Sequence, residues 1–250
     1  MIITLTTDFG LTDPFVGAMK GVILGISPSA QIIDISHHVP SFDIFEASIF
    51  VHDACRYFPP GTIHVIVVDP GVGSSRRPIA LRLDETGSVF LAPDNGVLSQ
   101  ISNSGSARHI TNDSLFHHPI SQTFHGRDVF APVAAHLSKG EPFEFLGPVI
   151  EDRIQLEMPR RPIILRVDKF GNLMTNLRSS QLAAGFVIRV NGTEIRRLLS
   201  SYAEAEPGEV FAIEGSSGLI ELCINQNSAA EQLNLRRGAE FEVETESLNQ

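Results

Sequence analysis

The chain has 250 residues and a formal net charge of −10, with 42% hydrophobic and 19% charged residues. This composition provides enough apolar material for a packed core and indicates a globular protein of one or two domains. The acidic balance excludes the positive surface that binding to nucleic acid or to an anionic membrane requires, so we expect neither partner.

The N-terminal residues lack the charged and apolar regions of a signal peptide, and no apolar run approaches the roughly 18 residues of a membrane helix. We therefore expect a cytoplasmic protein. Cys55 and Cys223, the two cysteines of the sequence, both lie in apolar segments. Because cytosolic disulfides are rare and two cysteines are too few for a structural zinc site, we expect buried, reduced thiols.

The first 150 or so residues alternate between strand and helix signals. Asp13 and Pro14 predict a helix whose N-cap is Asp13 and whose first residue is Pro14. The order of elements predicts an α/β fold with right-handed crossovers in a parallel sheet. Strands are predicted at 2–7, 31–35, 63–68, 79–83 and 88–91, and helices at 14–26, 43–58 and 127–137.

The pattern changes in the segment 151–162, which is polar and rich in proline and arginine. Beyond it, short alternating runs separated by turn residues predict a smaller, mostly β domain, either a barrel or a sandwich. We place the domains at residues 1–158 and 159–250. The predicted strands of the second domain are 163–168, 186–190, 209–213, 219–224 and 240–243.

Two predicted strands of the first domain end in an aspartate, Asp8 and Asp69, and a glycine-bearing loop follows each. Ligands of open α/β sheets bind beyond the carboxyl ends of the strands. Either aspartate alone could simply cap a turn. Two at equivalent positions, each beside backbone that a ligand can approach closely, indicate a site.

The segment that follows Asp69 has glycines, hydroxyls and the arginines Arg76 and Arg77, as a phosphate cradle does. It lacks the Gly-Lys-Ser/Thr ending of a P-loop, so nucleotide triphosphate binding is weakly supported. Asp69 could instead pair with an arginine across the tight loop. The other arginine is then expected to be a solvated surface charge.

Histidines offer a further set of candidates. His125 lies between Phe124 and Gly126 at a predicted helix entry, where it could act as a base or a donor, or be structural. The pairs 37–38 and 117–118 invite a metal hypothesis, but no ligand spacing such as His-Glu-x-x-His accompanies them. The glycine-rich turns near residues 168–172 and 215–218 could be ordinary turn chemistry.

Taken together and in order, these motifs resemble the S-adenosylmethionine (SAM) hydrolases, also called SAM hydroxide adenosyltransferases, which are related to fluorinating and chlorinating enzymes. The resemblance spans nearly the whole chain and implies an α/β domain followed by a β-barrel-like domain. The matching segments are 7–10, 67–73 with 76–77, 92–96, 124–128, 170–173 with 175–176, and 216–218 through 225.

The resemblance implies roles for the polar residues. Asp69, Arg76 and His125 match the set that holds and polarises a water or hydroxide beside the C5′ carbon of SAM. The halogenating relatives lack this combination of Arg and His, so water is implied as the nucleophile. The implied substrate-binding residues are Asp8 for the ribose hydroxyls, Phe170 and Asn172 for the adenosine pocket, Ser216 and Glu221 for the methionine end, and Ile224 to Gln226 for adenine.

The implied reaction converts SAM to adenosine and L-methionine and needs no cofactor and no metal. The family resemblance also implies a homotrimer, with each site formed by the N-terminal domain of one subunit and the C-terminal domain of the next. Two alternatives remain open at this point. They are a metal-dependent hydrolase that uses Asp8, Asp69 and the histidines, and a non-catalytic protein that binds adenosine or SAM.

Overall fold

A computed structural model describes residues 1–102 and 104–245. The chain divides into two compact units, one formed by residues 1–157 and the other beginning at residue 158. Each unit is described by itself below.

The N-terminal unit is an α/β fold built on a seven-stranded sheet with the order β2-β1-β3-β5-β4-β6-β7. Its elements are β1 Ile2–Thr7, α1 Phe15–Ile26, β2 Gln31–Ser36, α2 Ile44–Cys55, β3 Ile63–Val67, β4 Pro78–Leu83, β5 Val89–Pro93, β6 Gly105–His109, α3 Ala131–Ser138 and β7 Val149–Ile150. One π-helical turn, Gly126–Phe130, leads directly into α3.

The sheet is mixed, which corrects the expectation of a parallel sheet. Strands β2, β1, β3 and β5 are parallel, whereas β4, β6 and β7 pair antiparallel. The reason lies between β4 and β5, where residues 84–88 are too few for a parallel crossover and can join only antiparallel neighbours. Strands β6 and β7 were not predicted from the sequence.

Two apolar clusters cover the two faces of this sheet. Met19 of α1 and Ala134 of α3 belong to one cluster, and Ala47 and Val51 of α2 belong to the other. Every residue of β3 is buried, as its apolar sequence predicts for a strand covered on both faces. The buried, parallel strands β1 and β3 therefore deliver the residues that follow them to one edge of the sheet.

The helix boundaries differ from the sequence predictions in detail. Helix α1 begins at Phe15, with Pro14 rather than Asp13 at the N-cap position and no side-chain cap. Helix α2 begins as predicted, since the Asp43 side chain accepts a hydrogen bond from the amide of Glu46. The third predicted helix is real, but its first turn is the π-helical turn.

The C-terminal unit is mostly β, as predicted. Its five-stranded sheet has the order β12-β13-β14-β9-β8 and its three-stranded sheet the order β11-β10-β15, and both contribute to one apolar core. The shortest strands, β9, β11 and β12, escaped prediction. The elements are β8 Ile164–Val167, β9 Leu173–Thr175, β10 Phe186–Val190, β11 Thr193–Ile195, β12 Leu198–Leu199, β13 Val210–Glu214, β14 Ile220–Ile224, α4 Ala229–Gln232 and β15 Glu242–Thr245.

The environment of the two cysteines agrees with the sequence prediction. Cys55 and Cys223 are both buried and free, which confirms the prediction of unpaired buried thiols. Among the residues that the structure describes, no helix is long and apolar enough to cross a membrane.

Candidate active site

The candidate site of the N-terminal unit centres on a forked ion pair between Asp69 and Arg76. Arg76 Nε donates to Asp69 Oδ1 at 2.9 Å, and the adjacent Nη2 donates to Asp69 Oδ2. The Asp69 side chain is 4% exposed and that of Arg76 is 9% exposed. Two parallel hydrogen bonds of this kind fix the plane of the guanidinium as well as its position.

The loop between the two residues is shaped by its own turns and by one glycine. Ser74 Oγ donates to the carbonyl of Gly71 and accepts from the amide of Arg76, which brings Arg76 back toward Asp69. Gly73 adopts φ +76° and packs so closely on Gln122 that a Cβ atom would come within 2.2 Å of the Gln122 carbonyl oxygen. This contact joins the loop to the segment that carries His125.

His125 completes a chain of three polar side chains, because its Nδ1 lies 2.7 Å from Arg76 Nη2. A guanidinium can only donate, so Nδ1 accepts and the proton of the neutral ring is on Nε2. Burial lowers the pKa of His125, and the positive charge of Arg76 lowers it further, against the opposing effects of Asp69 and Asp128. The ring is therefore neutral near pH 7 and offers an Nε2–H donor.

Asp128, a fully buried carboxylate, holds the segment that carries His125. Its Oδ2 accepts from the amide of Ser121 at 2.8 Å, and its Oδ1 accepts from Arg127 Nε at 2.6 Å. Two main-chain hydrogen bonds add to this. The amide of Asp128 donates to the carbonyl of Phe124, and the amide of His117 donates to the carbonyl of Asp128. His125 is consequently placed by an ordered loop at the start of the π-helical turn.

Asp8 lies beyond β1, the neighbour of β3, and its Oδ2 accepts from the amide of Phe42 at 2.8 Å. His37 contacts the turn after Asp8 in two ways. Its carbonyl accepts a hydrogen bond from the amide of Gly10, and its Nδ1 lies 2.9 Å from Thr7 Oγ1. The same Thr7 hydroxyl accepts from the amide of Phe9. The buried His37 therefore supports the turn of Asp8.

A cavity of about 310 Å³ brings Asp8, Asp69 and His125 to one surface. Its apolar wall includes the rings of Phe9, Phe15 and Phe124, which meet edge to face with centroid separations of 5.3 to 5.9 Å. The cavity thus offers polar groups on one side and aromatic surface on the other. Such a combination suits a ligand with both polar and apolar parts.

The predicted adenosine residues lie in the C-terminal unit. Phe170, Asn172 and Ile224 line one pocket there together with Tyr202. Asn172 is buried and its Nδ2 donates to Asp168 Oδ2 at 2.9 Å and to the Tyr202 hydroxyl at 3.3 Å. Phe170 is 66% exposed, and the ammonium of Lys169 lies 4.7 Å from the centroid of its ring.

Ser216 and Glu221 lie at the hairpin between β13 and β14. Among the described residues, neither belongs to those that line the pocket of Phe170. Gly215 makes room for the Glu221 carboxylate, since a Cβ atom there would stand 2.0 Å from Glu221 Oε1. Glu221 nevertheless lies near Tyr202 of that pocket, since burial raises the pKa of the Tyr202 hydroxyl and the charge of Glu221 raises it further.

His37, His117 and the second arginine have charged partners outside the fork of Asp69 and Arg76. His37 Nε2 lies 3.0 Å from Asp34, and His117 Nδ1 lies 3.4 Å from Asp128. Arg77 pairs with Asp94 and Asp152, so the prediction of an unpaired surface charge is wrong. Within residues 1–102 and 104–245, no group of three or more His, Cys, Asp or Glu side chains is arranged to hold a metal.

Family models match both units of the chain. The model for the N-terminal domain of SAM hydroxide adenosyltransferases matches residues 3–147, and the model for the C-terminal domain matches residues 163–242. The chain belongs to the SAM hydroxide adenosyltransferase family.

Individual relatives of this family align over almost the full length. A protein of Salinispora tropica named (R)-S-adenosyl-L-methionine hydrolase is 34% identical, over 96% of this chain and 97% of its own. A fluorinase of Nocardia brasiliensis is 26% identical, over 97% and 96% of the two chains. A crystal structure of an uncharacterized conserved protein from Thermotoga maritima superposes with a TM-score of 0.89 at 36% identity, over 97% of this chain and 99% of that one.

Several residues of the site escaped prediction from the sequence. The aromatic wall combines Phe9 and Phe15 with Phe124, which is more than 100 residues away in sequence. Phe42 also lines the cavity, and its positive φ of 67° is not predicted by any local sequence pattern. Tyr202 was missed because it follows a two-residue strand. The chain has 2 tyrosines, and this scarcity was the one feature of the sequence that could have drawn attention to Tyr202.

The contact between Arg76 and His125 predicts a titration that does not depend on activity. In the wild-type protein, NMR of the His125 ring should give a pKa below the usual histidine value of about 6.5. Arg76→Met should raise that pKa, because it removes a neighbouring cation and leaves the Asp69 carboxylate. Arg56→Met is the control, since Arg56 follows α2 and stacks on Tyr57 instead. An unchanged His125 pKa in Arg76→Met would contradict the contact.

Proposed function

We propose that this protein hydrolyses SAM to adenosine and L-methionine by attack of an activated water or hydroxide at C5′. The observation that carries the proposal is the buried fork of Asp69 and Arg76 with His125 at its end. Asp69 and His125 line the same cavity as Asp8, and Arg76 lies behind them as the residue that joins the two. The names of the relatives at 34% identity support the same reaction.

The difficult part of this reaction is the activation of the nucleophile. An oxygen–C5′ bond forms while the C5′–sulfur bond breaks, and the electron pair of the broken bond neutralises the sulfonium as methionine leaves. The leaving group needs no proton, so no general acid is required. Water, with a pKa of about 15.7, is a poor nucleophile. The site must therefore hold it in line with the C5′–sulfur bond and stabilise its hydroxide character.

The three polar side chains divide this task. Arg76 and the Nε2–H of neutral His125 donate hydrogen bonds to the attacking oxygen and stabilise the negative charge that it carries once its proton is lost. Asp69 keeps lone pairs beyond those used by Arg76, so it accepts a hydrogen bond from the water and fixes its orientation. The proton that is lost leaves to solvent, directly or by way of Asp69.

The remaining residues bind the substrate in this proposal. Asp8 accepts from the ribose hydroxyls, and Phe170 and Asn172 contact adenosine. Ser216 and Glu221 hold the methionine end, while the backbone from Ile224 meets adenine. SAM carries a net positive charge that an acidic chain attracts, weakly at physiological salt. A cytoplasmic location and a reaction without cofactor or metal remain predictions of the sequence.

Product analysis in ¹⁸O-labelled water tests the proposed reaction. Purified protein incubated with SAM should yield adenosine and L-methionine in equal amounts, with the label in the 5′-oxygen of adenosine because water attacks at that carbon. Chromatography with mass spectrometry measures both products. Absence of adenosine with folded protein would refute the function, and unlabelled adenosine, or labelled homoserine with 5′-methylthioadenosine, would refute attack at C5′.

We also propose that the protein is a homotrimer whose sites combine units of neighbouring subunits, as the family resemblance implies. The residues assigned to the nucleophile all belong to the N-terminal unit, and those assigned to adenosine belong to the C-terminal unit. One complete site therefore needs one unit of each kind.

Mixed oligomers distinguish a shared site from a site within one chain. Arg76→Met and Asn172→Ala should each be inactive alone, yet co-expression should restore part of the activity, since some interfaces then combine two intact units. Light scattering should give about three times 27.3 kDa. A fully active monomer, or co-expressed variants without recovered activity, would count against the shared site.

A further inference from the structure

The dipeptide Asp94-Asn95 follows β5, directly beside the strand that leads to Asp69. Neither residue belongs to those that line the cavity of the N-terminal unit, as far as the structure describes that unit. We propose that Asp94 and Asn95 are positioning residues that clamp both ends of the 69–76 loop and thereby aim Arg76. The kinetic part of this inference rests on the proposed function.

Asn95 holds the beginning of the loop. Its Nδ2 donates to the carbonyl of Val68 at 2.9 Å, and its Oδ1 accepts from the amide of Val97 at 3.1 Å. Val68 is fully buried and immediately precedes Asp69. Both polar atoms of the Asn95 side-chain amide are thus hydrogen-bonded. Through Val68, this side chain fixes the peptide group between Val68 and Asp69, and so the start of the Asp69 side chain.

Asp94 holds the end of the loop through Arg77. Arg77 Nε donates to Asp94 Oδ2 at 2.9 Å, and the amide of Asp94 donates to the carbonyl of Arg77 at 2.8 Å. The other carboxylate oxygen of Asp94, whose side chain is 3% exposed, accepts from the amide of Ile154 at 2.8 Å. The residue after Arg76 is therefore tied by both its side chain and its backbone.

The direction of Arg76 follows from this attachment. Pro78 biases the preceding Arg77 toward extended backbone, in which successive side chains point to opposite sides. With Arg77 held against Asp94, the side chain of Arg76 is turned the other way, toward Asp69. The adjacent arginines thus form two separate ion pairs, and the outer pair sets the geometry of the inner one.

Two readouts test the clamp, and one of them needs no activity. Asn95→Asp keeps the acceptor for Val97 but loses the donor to Val68. It should lower kcat about 10- to 100-fold, because a shift near 1 Å in catalytic geometry has effects of this size. KM should stay within about threefold, since substrate contacts remain. The pKa of His125 should rise toward its value in Arg76→Met as the contact between Arg76 and His125 loosens.

Asn112→Asp is the matched control. The Asn112 side chain likewise accepts from the amide two residues on, that of Ser114, and donates to a distant carbonyl, that of Phe145 at 3.1 Å. It should leave both kcat and the His125 pKa unchanged. Equal losses of activity in the two variants would reduce Asn95 to a structural role and overturn the proposal.

Asp94→Asn provides the second variant and decides the question if Asn95→Asp does not fold. It keeps the shape of the side chain while weakening the bond to Arg77, so the same two changes are expected. A folded variant with wild-type kcat and a wild-type His125 pKa overturns the clamp, as does a change in only one of the two. If the wild-type protein does not hydrolyse SAM, the proposed function fails, and the His125 titration alone decides the clamp.

Discussion

The buried ion pair of Asp69 and Arg76 is the interaction on which the candidate site depends. Buried pairs are weak evidence for stability, because the cost of removing two charges from water can exceed their attraction. What the fork provides is direction, since two parallel hydrogen bonds leave the guanidinium little freedom to turn. The bond from Arg76 to His125 then fixes the tautomer of the imidazole, so one carboxylate orders two donors in succession. Because β1 and β3 are parallel neighbours, Asp8 and the ion pair that begins at Asp69 lie at the same edge of the sheet.

The neutral state of His125 has a chemical consequence. A histidine whose Nδ1 accepts from an arginine presents a donor to the cavity and not a free lone pair. The site is therefore better suited to orient water and to stabilise hydroxide character than to remove a proton by strong base catalysis. This suits a displacement in which the leaving sulfur becomes neutral and needs no proton, because the site then has to act only on the attacking oxygen.

Periodicity and turn chemistry predicted most of the fold because long elements have strong signals. The apolar run of β3 and the beginning of α2 next to Asp43 are examples. The strands β7, β9, β11 and β12 were missed because two or three residues are too few to show a strand pattern. Strand β6 was missed because Ala107 is its only buried residue, and its conformation depends on pairing with β4 and β7. At the site, Asp8, Asp69, Arg76 and His125 could be named from motifs. The wall of three phenylalanines, the support of His37 and the partner of Arg77 could not, because contacts between distant segments create them.

The central claim is that Asp69, Arg76 and His125 act on the nucleophile and not on substrate binding. Steady-state kinetics of Arg76→Met and His125→Gln, together with calorimetric SAM affinities, test it most directly. We predict that kcat falls about 10²- to 10³-fold in each variant, which is the range for loss of one hydrogen-bond donor to a negatively charged reacting oxygen. The Kd for SAM should change little, because these residues do not act on substrate binding. Arg56→Met should match the wild type. An unchanged kcat with weakened SAM binding would contradict the account.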